Sequence, residues 1–72
     1  MMPRVADVDA LAQLLRETED HHAAFERVAP KHEWSDFYAA YIWARQHGSS
    51  PDDAAAAAER YMAEVKHVVV PG

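Results

Sequence analysis

The fold is decided by a short stretch, His47-Gly48-Ser49-Ser50-Pro51-Asp52-Asp53, which ends one helix and begins another. Gly48 is the residue expected just past a helix end, because glycine adopts the left-handed conformation there at least cost. Ser50 is the expected N-cap of the next helix, and Pro51 its first residue. The two aspartates place negative charge at the positive end of that helix. The stretch therefore predicts a tight turn between two helices.

The sequence after the turn predicts a helix over residues 51–66. Its apolar residues recur at spacings of three and four and form one face, made of Ala54, Ala57, Ala58, Tyr61, Met62 and Val65. The run of alanines at 54–58 favours helix and lets a neighbouring backbone approach closely. The apolar tail that follows residue 67 carries no clear signal of structure.

The sequence before the turn predicts a helix over residues 33–47. With Trp34 set at the centre of its inner face, the residues sharing that side are Phe37, Tyr38, Tyr41, Ile42 and Arg45. We expect this aromatic face to supply much of the core. Trp43 points nearly the opposite way, beside Asp36, Ala39, Ala40 and His47.

A first helix is predicted over residues 8–28. Its stripe consists of Val8, Leu11, Leu15, Thr18, His22, Phe25 and Ala29, widened by Leu14. Asp7 is the expected N-cap, and Pro30 ends the helix because the residue before a proline is pushed out of helical geometry. No run alternates with a period of two. The prediction is an all-α protein, a three-helix bundle running up, down and up, with residues 1–72 as a single domain.

Length and charge exclude several classes of function. A chain of 72 residues is marginal as a monomer, and the absence of cysteine excludes disulfides and thiolate chemistry. The net charge is −5, with 7 basic residues that form no stripe, so we expect no nucleic-acid partner. No apolar run approaches the roughly 18 residues of a membrane span, so we expect no membrane partner and a cytoplasmic protein.

A histidine interrupts the apolar stripe of the first helix. Glu19 and Glu26 lie one turn to either side of His22. One interpretation is a structural polar network joining these three residues to Tyr38, Tyr41 and Arg45 on the facing helix. The alternative is a metal site made of Glu19, His22 and Glu26, since Glu-x-x-His spacing and neutral imidazole suit Zn, Fe or Mn. The first interpretation needs no cofactor.

Trp43 is the best candidate for a contact with another protein. Helical geometry places it outside the monomer core, next to Ala39 and Ala40, and tryptophan is enriched at the energetic centres of interfaces. A second copy of the chain is the simplest partner, and a larger protein is the other possibility. The chain has no glycine-rich phosphate loop, no nucleophile elbow and no HExxH motif. We therefore expect no enzymatic activity.

Two strings resemble a known group of proteins. They are His21-His22-Ala23-Ala24-Phe25-Glu26 and Trp34-x-x-Phe37-Tyr38-Ala39-x-Tyr41. They are similar to small helical proteins of actinobacteria and related bacteria, and to C-terminal extensions of glyoxalase/bleomycin-resistance-type proteins. Stand-alone members are often labelled bleomycin resistance proteins. The resemblance covers residues 10–62, with Phe37 where a tryptophan is expected, and it carries no established activity.

Three functional hypotheses follow from these features. The first is a non-enzymatic interaction or accessory module that associates with itself or with a larger protein. The second is the His/carboxylate metal site. The third, implied by the resemblance, is a small-molecule binding protein whose aromatic face holds a bleomycin-type drug, although the chain lacks the paired βαββ units of the glyoxalase fold.

Overall fold

Residues 5–71 are described by the computed structural model, with side chains described from residue 7, and they form three helices. These are α1 (Val5–Glu26), α2 (Trp34–Gln46) and α3 (Pro51–Glu64). No strand occurs in residues 5–71, so the all-α three-helix prediction is confirmed. The predicted start of α1 at residue 8 is three residues late, and that of α2 at residue 33 is one residue early. Asp7 lies within the first turn of α1 and is therefore not an N-cap.

The turn between α2 and α3 has the predicted chemistry. Gly48 has a φ of 97°, and its amide donates to the Arg45 carbonyl over 3.1 Å. The Ser49 amide donates to the Ala44 carbonyl over 3.0 Å, which completes a Schellman motif. The hydroxyl of Ser50 accepts a hydrogen bond from the Asp53 amide over 3.2 Å, so the predicted N-cap of α3 is confirmed.

Helix α2 is the central element, with α1 on one side and α3 on the other. Contacts between α1 and α2 pair Phe25 with Phe37 and Glu17 with Arg45, so these two helices run antiparallel. Lys66, which follows α3, pairs with Asp36 in the first turn of α2, so α2 and α3 are antiparallel as well. Helices α1 and α3 barely touch. The up-down-up topology is therefore confirmed.

The core lies on both sides of α2. Its buried apolar residues are Phe25, Phe37, Tyr41, Ala44, Ala54, Ala58 and Met62. The prediction that Trp34 centres the inner face of α2 is wrong, because Trp34 is 60% exposed. The centre of that face is the line from Phe37 to Ala44, and Trp34 instead packs edge-on against Tyr38 at the start of the helix.

The rest of the molecule covers mainly the second half of α1, although Leu14 in the first half also packs against the core. The stripe of α1 is buried at Thr18, His22 and Phe25. The same stripe is exposed nearer the N-terminus, at Val8, Leu11 and Leu15, which we call the α1 apolar stripe. The lengths explain this difference. At 1.5 Å per residue, the 22 residues of α1 span about 33 Å and the 13 residues of α2 about 20 Å.

The C-terminal tail docks on the bundle. Helix α3 ends at Glu64, two residues before its predicted end. The chain then turns through His67, which has a φ of 59°, and the Val68 amide donates to the Met62 carbonyl over 2.8 Å. Val68 and Val70 pack against the core.

Candidate functional site

The polar network predicted around His22 is divided into two separate clusters. Its predicted members were His22, Glu19, Glu26, Tyr38, Tyr41 and Arg45. Glu19 and Glu26 are exposed, and neither forms a hydrogen bond with His22. Tyr38 contacts His22 through its ring, with centroids 5.5 Å apart, and not through its hydroxyl. The prediction of one network with His22 at its centre is therefore wrong.

The first cluster is centred on Glu17. The Tyr41 hydroxyl donates to Glu17 Oε2 over 2.6 Å, and Arg45 Nε donates to the same oxygen over 2.7 Å. Arg45 Nη2 lies 3.4 Å from Glu17 Oε1, so the guanidinium contacts both carboxylate oxygens. Arg45 Nη1 also donates to the Ser49 carbonyl over 2.9 Å. One carboxylate of α1 thus joins α2 and the turn that follows it.

These contacts shift the titration of the residues that make them. The hydrogen bonds from Arg45 and then Tyr41 hold the pKa of Glu17 below its ordinary value. Burial, and then the bond to the Glu17 carboxylate, raises the pKa of Tyr41. The bond to Glu17 raises the pKa of Arg45. All three residues are therefore fixed in one charge state at neutral pH.

The sequence pattern does not single out Glu17. The predicted carboxylate partners of Arg45 were Glu19 and Glu26, which lie one turn from His22. Glu17 stands beside Thr18 on the edge of the stripe, and its partners are 24 and 28 residues away. The antiparallel register of α1 and α2 is the signal that could have identified Glu17. Pairing Phe25 with Phe37 places Glu17, eight residues earlier, opposite Arg45, eight residues later.

The second cluster is a pair of histidines. His22 Nε2 and His32 Nε2 lie 3.0 Å apart, and His32 Nδ1 lies 2.8 Å from the Pro30 carbonyl. His22 is only 7% exposed. Its ring packs against Phe37 with centroids 5.3 Å apart, and the His32 ring packs against Phe25 at 5.1 Å. Aromatic side chains therefore hold both imidazoles in place.

The partners of the pair define its neutral protonation state. The Pro30 carbonyl can only accept, so His32 Nδ1 carries a proton and His32 Nε2 presents a lone pair. His22 Nε2 then donates to His32 Nε2. Burial lowers the pKa of His22, with the nearby His32 acting in the same direction and the carboxylates of Glu26 and Glu19 opposing. The lowered pKa favours the neutral form of the His22 imidazole.

The predicted metal site is not assembled. No group of three or more His, Asp or Glu side chains within residues 7–71 lies close enough to hold a metal ion. Glu19 and Glu26 flank His22 along the helix, but the structure does not bring the three together. His32, which the metal hypothesis omitted, is the residue that meets His22.

An apolar groove lies between α2 and α3. We call it the alanine groove, and its lining consists of Ala39, Ala40, Trp43, Ala44, Ala57 and Tyr61. Its volume is about 430 Å³. Trp43 is 62% exposed, as the prediction of an outward tryptophan requires, and its ring stacks on His47 with centroids 3.8 Å apart. The predicted interface residues Trp43, Ala39 and Ala40 therefore line one surface.

Within the described part of the chain, no helix is both long and apolar enough to cross a membrane. Comparisons with protein-family models, with curated proteins and with solved structures found no match.

Proposed function

We propose that this chain is a non-enzymatic helical interaction module that associates with a second copy of itself through the alanine groove. One observation carries the proposal. Trp43 is 62% exposed at the edge of an apolar groove of about 430 Å³. A tryptophan beside a concave apolar surface has the geometry of an interface hot spot. The contact with His47 restricts its ring before any partner arrives.

The lining of the groove favours a protein side chain over a small polar ligand. It is built mainly from alanines and contains no charged residue. Pockets for small molecules combine apolar walls with a few convergent polar groups. Among the residues that line this groove, only Tyr61 and Trp43 carry a polar side-chain atom. A cationic drug of the bleomycin type would find no carboxylate in this lining. Alanine walls, in contrast, allow an incoming helix to approach closely.

The α1 apolar stripe is the occupant that we propose. Val8, Leu11 and Leu15 have the spacing of a helix that lays one face into a groove. All three are exposed, so the chain carries both a receptor surface and a ligand surface. If each copy gives its stripe to the groove of the other, the contact is reciprocal and closes as a two-fold dimer.

The size of the domain supports self-association. A chain of 72 residues buries only about 60% of the surface that its unfolded form exposes, and such chains are often stabilised by oligomerisation. Burying Trp43 and the stripe would add apolar area to a core with few large side chains. A larger protein that presents a similar helix remains the alternative partner.

Light scattering behind a size-exclusion column tests the proposal. We expect wild-type protein to have the mass of a dimer and Trp43→Ala to have that of a monomer. Trp34→Ala is the matched control, because Trp34 is 60% exposed and lies outside the groove. It should remain a dimer. A wild-type monomer at all concentrations, or equal loss in the two variants, would refute self-association through this groove.

A second pair of variants tests the occupant. Ala57→Glu places a charge in the groove at an exposed position of α3, and Leu11→Gln removes the centre of the α1 apolar stripe. Both should give monomers. Val28→Gln, which changes a similarly exposed residue beyond the end of α1, should leave the dimer intact. Dimerisation that survives Leu11→Gln would show that another segment fills the groove.

A further inference from the structure

We propose that His22 and His32 form a two-histidine binding site for a divalent transition-metal ion such as Zn²⁺. The site is distinct from the Glu19–His22–Glu26 arrangement suggested by the sequence, and it is independent of the self-association proposed above. It joins a residue of α1 to a residue of the loop that leads into α2. The inference rests on geometry, on the orientation of the rings and on the local charge.

The separation of the two nitrogens fits a shared metal ion. His22 Nε2 and His32 Nε2 are 3.0 Å apart. Two imidazole nitrogens bound to one zinc ion at about 2.0–2.1 Å, in a tetrahedral arrangement, are about 3.3 Å apart. A small outward movement of the loop residue His32 therefore converts the hydrogen-bonded pair into a pair of ligands.

The second nitrogen of His32 is already placed as in a metal site. Histidines that bind metals through Nε2 donate their Nδ1 proton to a carboxylate or a backbone carbonyl, which fixes the ring and its tautomer. His32 Nδ1 lies 2.8 Å from the Pro30 carbonyl. This hydrogen bond leaves the lone pair of His32 Nε2 directed at His22.

Metal binding requires the proton between the two rings to leave His22 Nε2, and the other nitrogen of the same ring can accept it. In the neutral metal-free pair, the bond of His32 Nδ1 to the Pro30 carbonyl makes His22 Nε2 the donor to His32 Nε2. On binding, that proton moves to Nδ1 of the same ring, and the freed lone pair binds the cation. Both rings stay neutral and no proton need be released. Water fills the remaining coordination positions on the half-exposed His32 side.

The surroundings favour a cation and hold the ligands in place. Glu26 and Glu19 act on His22 electrostatically from α1, in the direction that favours positive charge at this ring. No Lys or Arg figures among the groups that act on His22. The His22 ring packs against Phe37, and the His32 ring packs against Phe25. These contacts already restrict both side chains, so little conformational freedom is lost when a metal ion binds.

Titration of tag-free protein with ZnCl₂, followed by isothermal calorimetry, tests this site. We expect saturable one-to-one binding in the wild type and a loss of affinity of at least about tenfold in His32→Phe. Phenylalanine keeps the ring that packs against Phe25 and removes both nitrogens. His47→Ala is the control, because His47 also places its Nδ1 on a backbone carbonyl, 2.7 Å from Trp43 O, but meets no second imidazole.

Imidazole ¹⁵N spectra locate the ligands. Zn²⁺ should shift the Nε2 resonances of His22 and His32 and leave those of His21, His47 and His67 in place. Circular dichroism of His32→Phe separates a lost ligand from a lost fold. Absence of binding in the wild type, unchanged affinity in folded His32→Phe, or shifts confined to the other histidines would each overturn the proposal.

Discussion

Tyr41 is fully buried, yet its hydroxyl reaches the half-buried carboxylate of Glu17 over 2.6 Å. This bond links the central helix to α1 at the point where α1 leaves the core. We expect Tyr41→Phe to lower the free energy of unfolding by about 1.5 kcal/mol, because a hydrogen bond to a charged acceptor is lost without loss of the ring. Urea unfolding measures the change. Tyr61→Phe, whose hydroxyl has no hydrogen bond within the described residues, should be nearly neutral.

Acid should weaken the same link. The folded-state pKa of Glu17 is lowered from its ordinary value of 4.5, so the unfolded chain binds more protons than the folded one between the two values. The contribution of Glu17 is fully present above pH 4.5 and is lost as the pH falls through its folded-state pKa. Urea midpoints from pH 7 downward should fall more steeply in wild type than in Glu17→Gln. Parallel curves would argue against a role for Glu17 in acid sensitivity. Glu59→Gln, on the exposed side of α3, serves as the control.

Gly48 is expected to be the most sensitive position of the α2–α3 turn. Its φ of 97° is one that side chains with a β-carbon rarely adopt, although a Cβ built there meets no atom within 4 Å. Gly48→Ala should therefore destabilise the protein by about 1–2 kcal/mol through backbone strain alone. Gly48→Asn should lose less, because asparagine tolerates positive φ better. Equal losses in thermal unfolding would indicate crowding instead of strain.

Met62 is the largest buried side chain of α3. Truncation in Met62→Ala should remove about 2–5 kcal/mol, which approaches the whole stability of a domain of this size. We expect Met62→Ala to be largely unfolded at room temperature by circular dichroism. Met62→Leu, which preserves volume, should lose less than about 1.5 kcal/mol. Val69→Ala, a truncation at a residue that is 60% exposed, should change little.

The features that the sequence predicted well are local ones. The end of α2 and the start of α3 depend on Gly48, Ser50 and Pro51, whose effects reach only a few residues along the chain. The outward direction of Trp43 follows from helical geometry, even though the inner face of α2 is centred on the line from Phe37 to Ala44 and not on Trp34. Each of these could be argued without knowing which helices touch.

The features that were missed depend on contacts between elements. Trp34 has the largest side chain at the start of α2, but it lies at the end of the bundle and is 60% exposed. Glu17 and His32 gain their roles only from partners ten or more residues away. The helical period shows that Leu11 and Phe25 share a stripe. It cannot show that one is buried and the other exposed, because that depends on the length of α2.

Because α1 is longer than α2, the folding of the first part of α1 is linked to the binding of a partner there. An isolated helix of fewer than about 12 residues is barely stable in water, and residues 7–15 of α1 receive little support from the rest of the domain. A partner that covers the α1 apolar stripe would supply the missing support. Association would then be coupled to helix formation in this segment. Amide hydrogen exchange at Leu11 should therefore slow as protein concentration rises, while exchange at Tyr41 should respond much less.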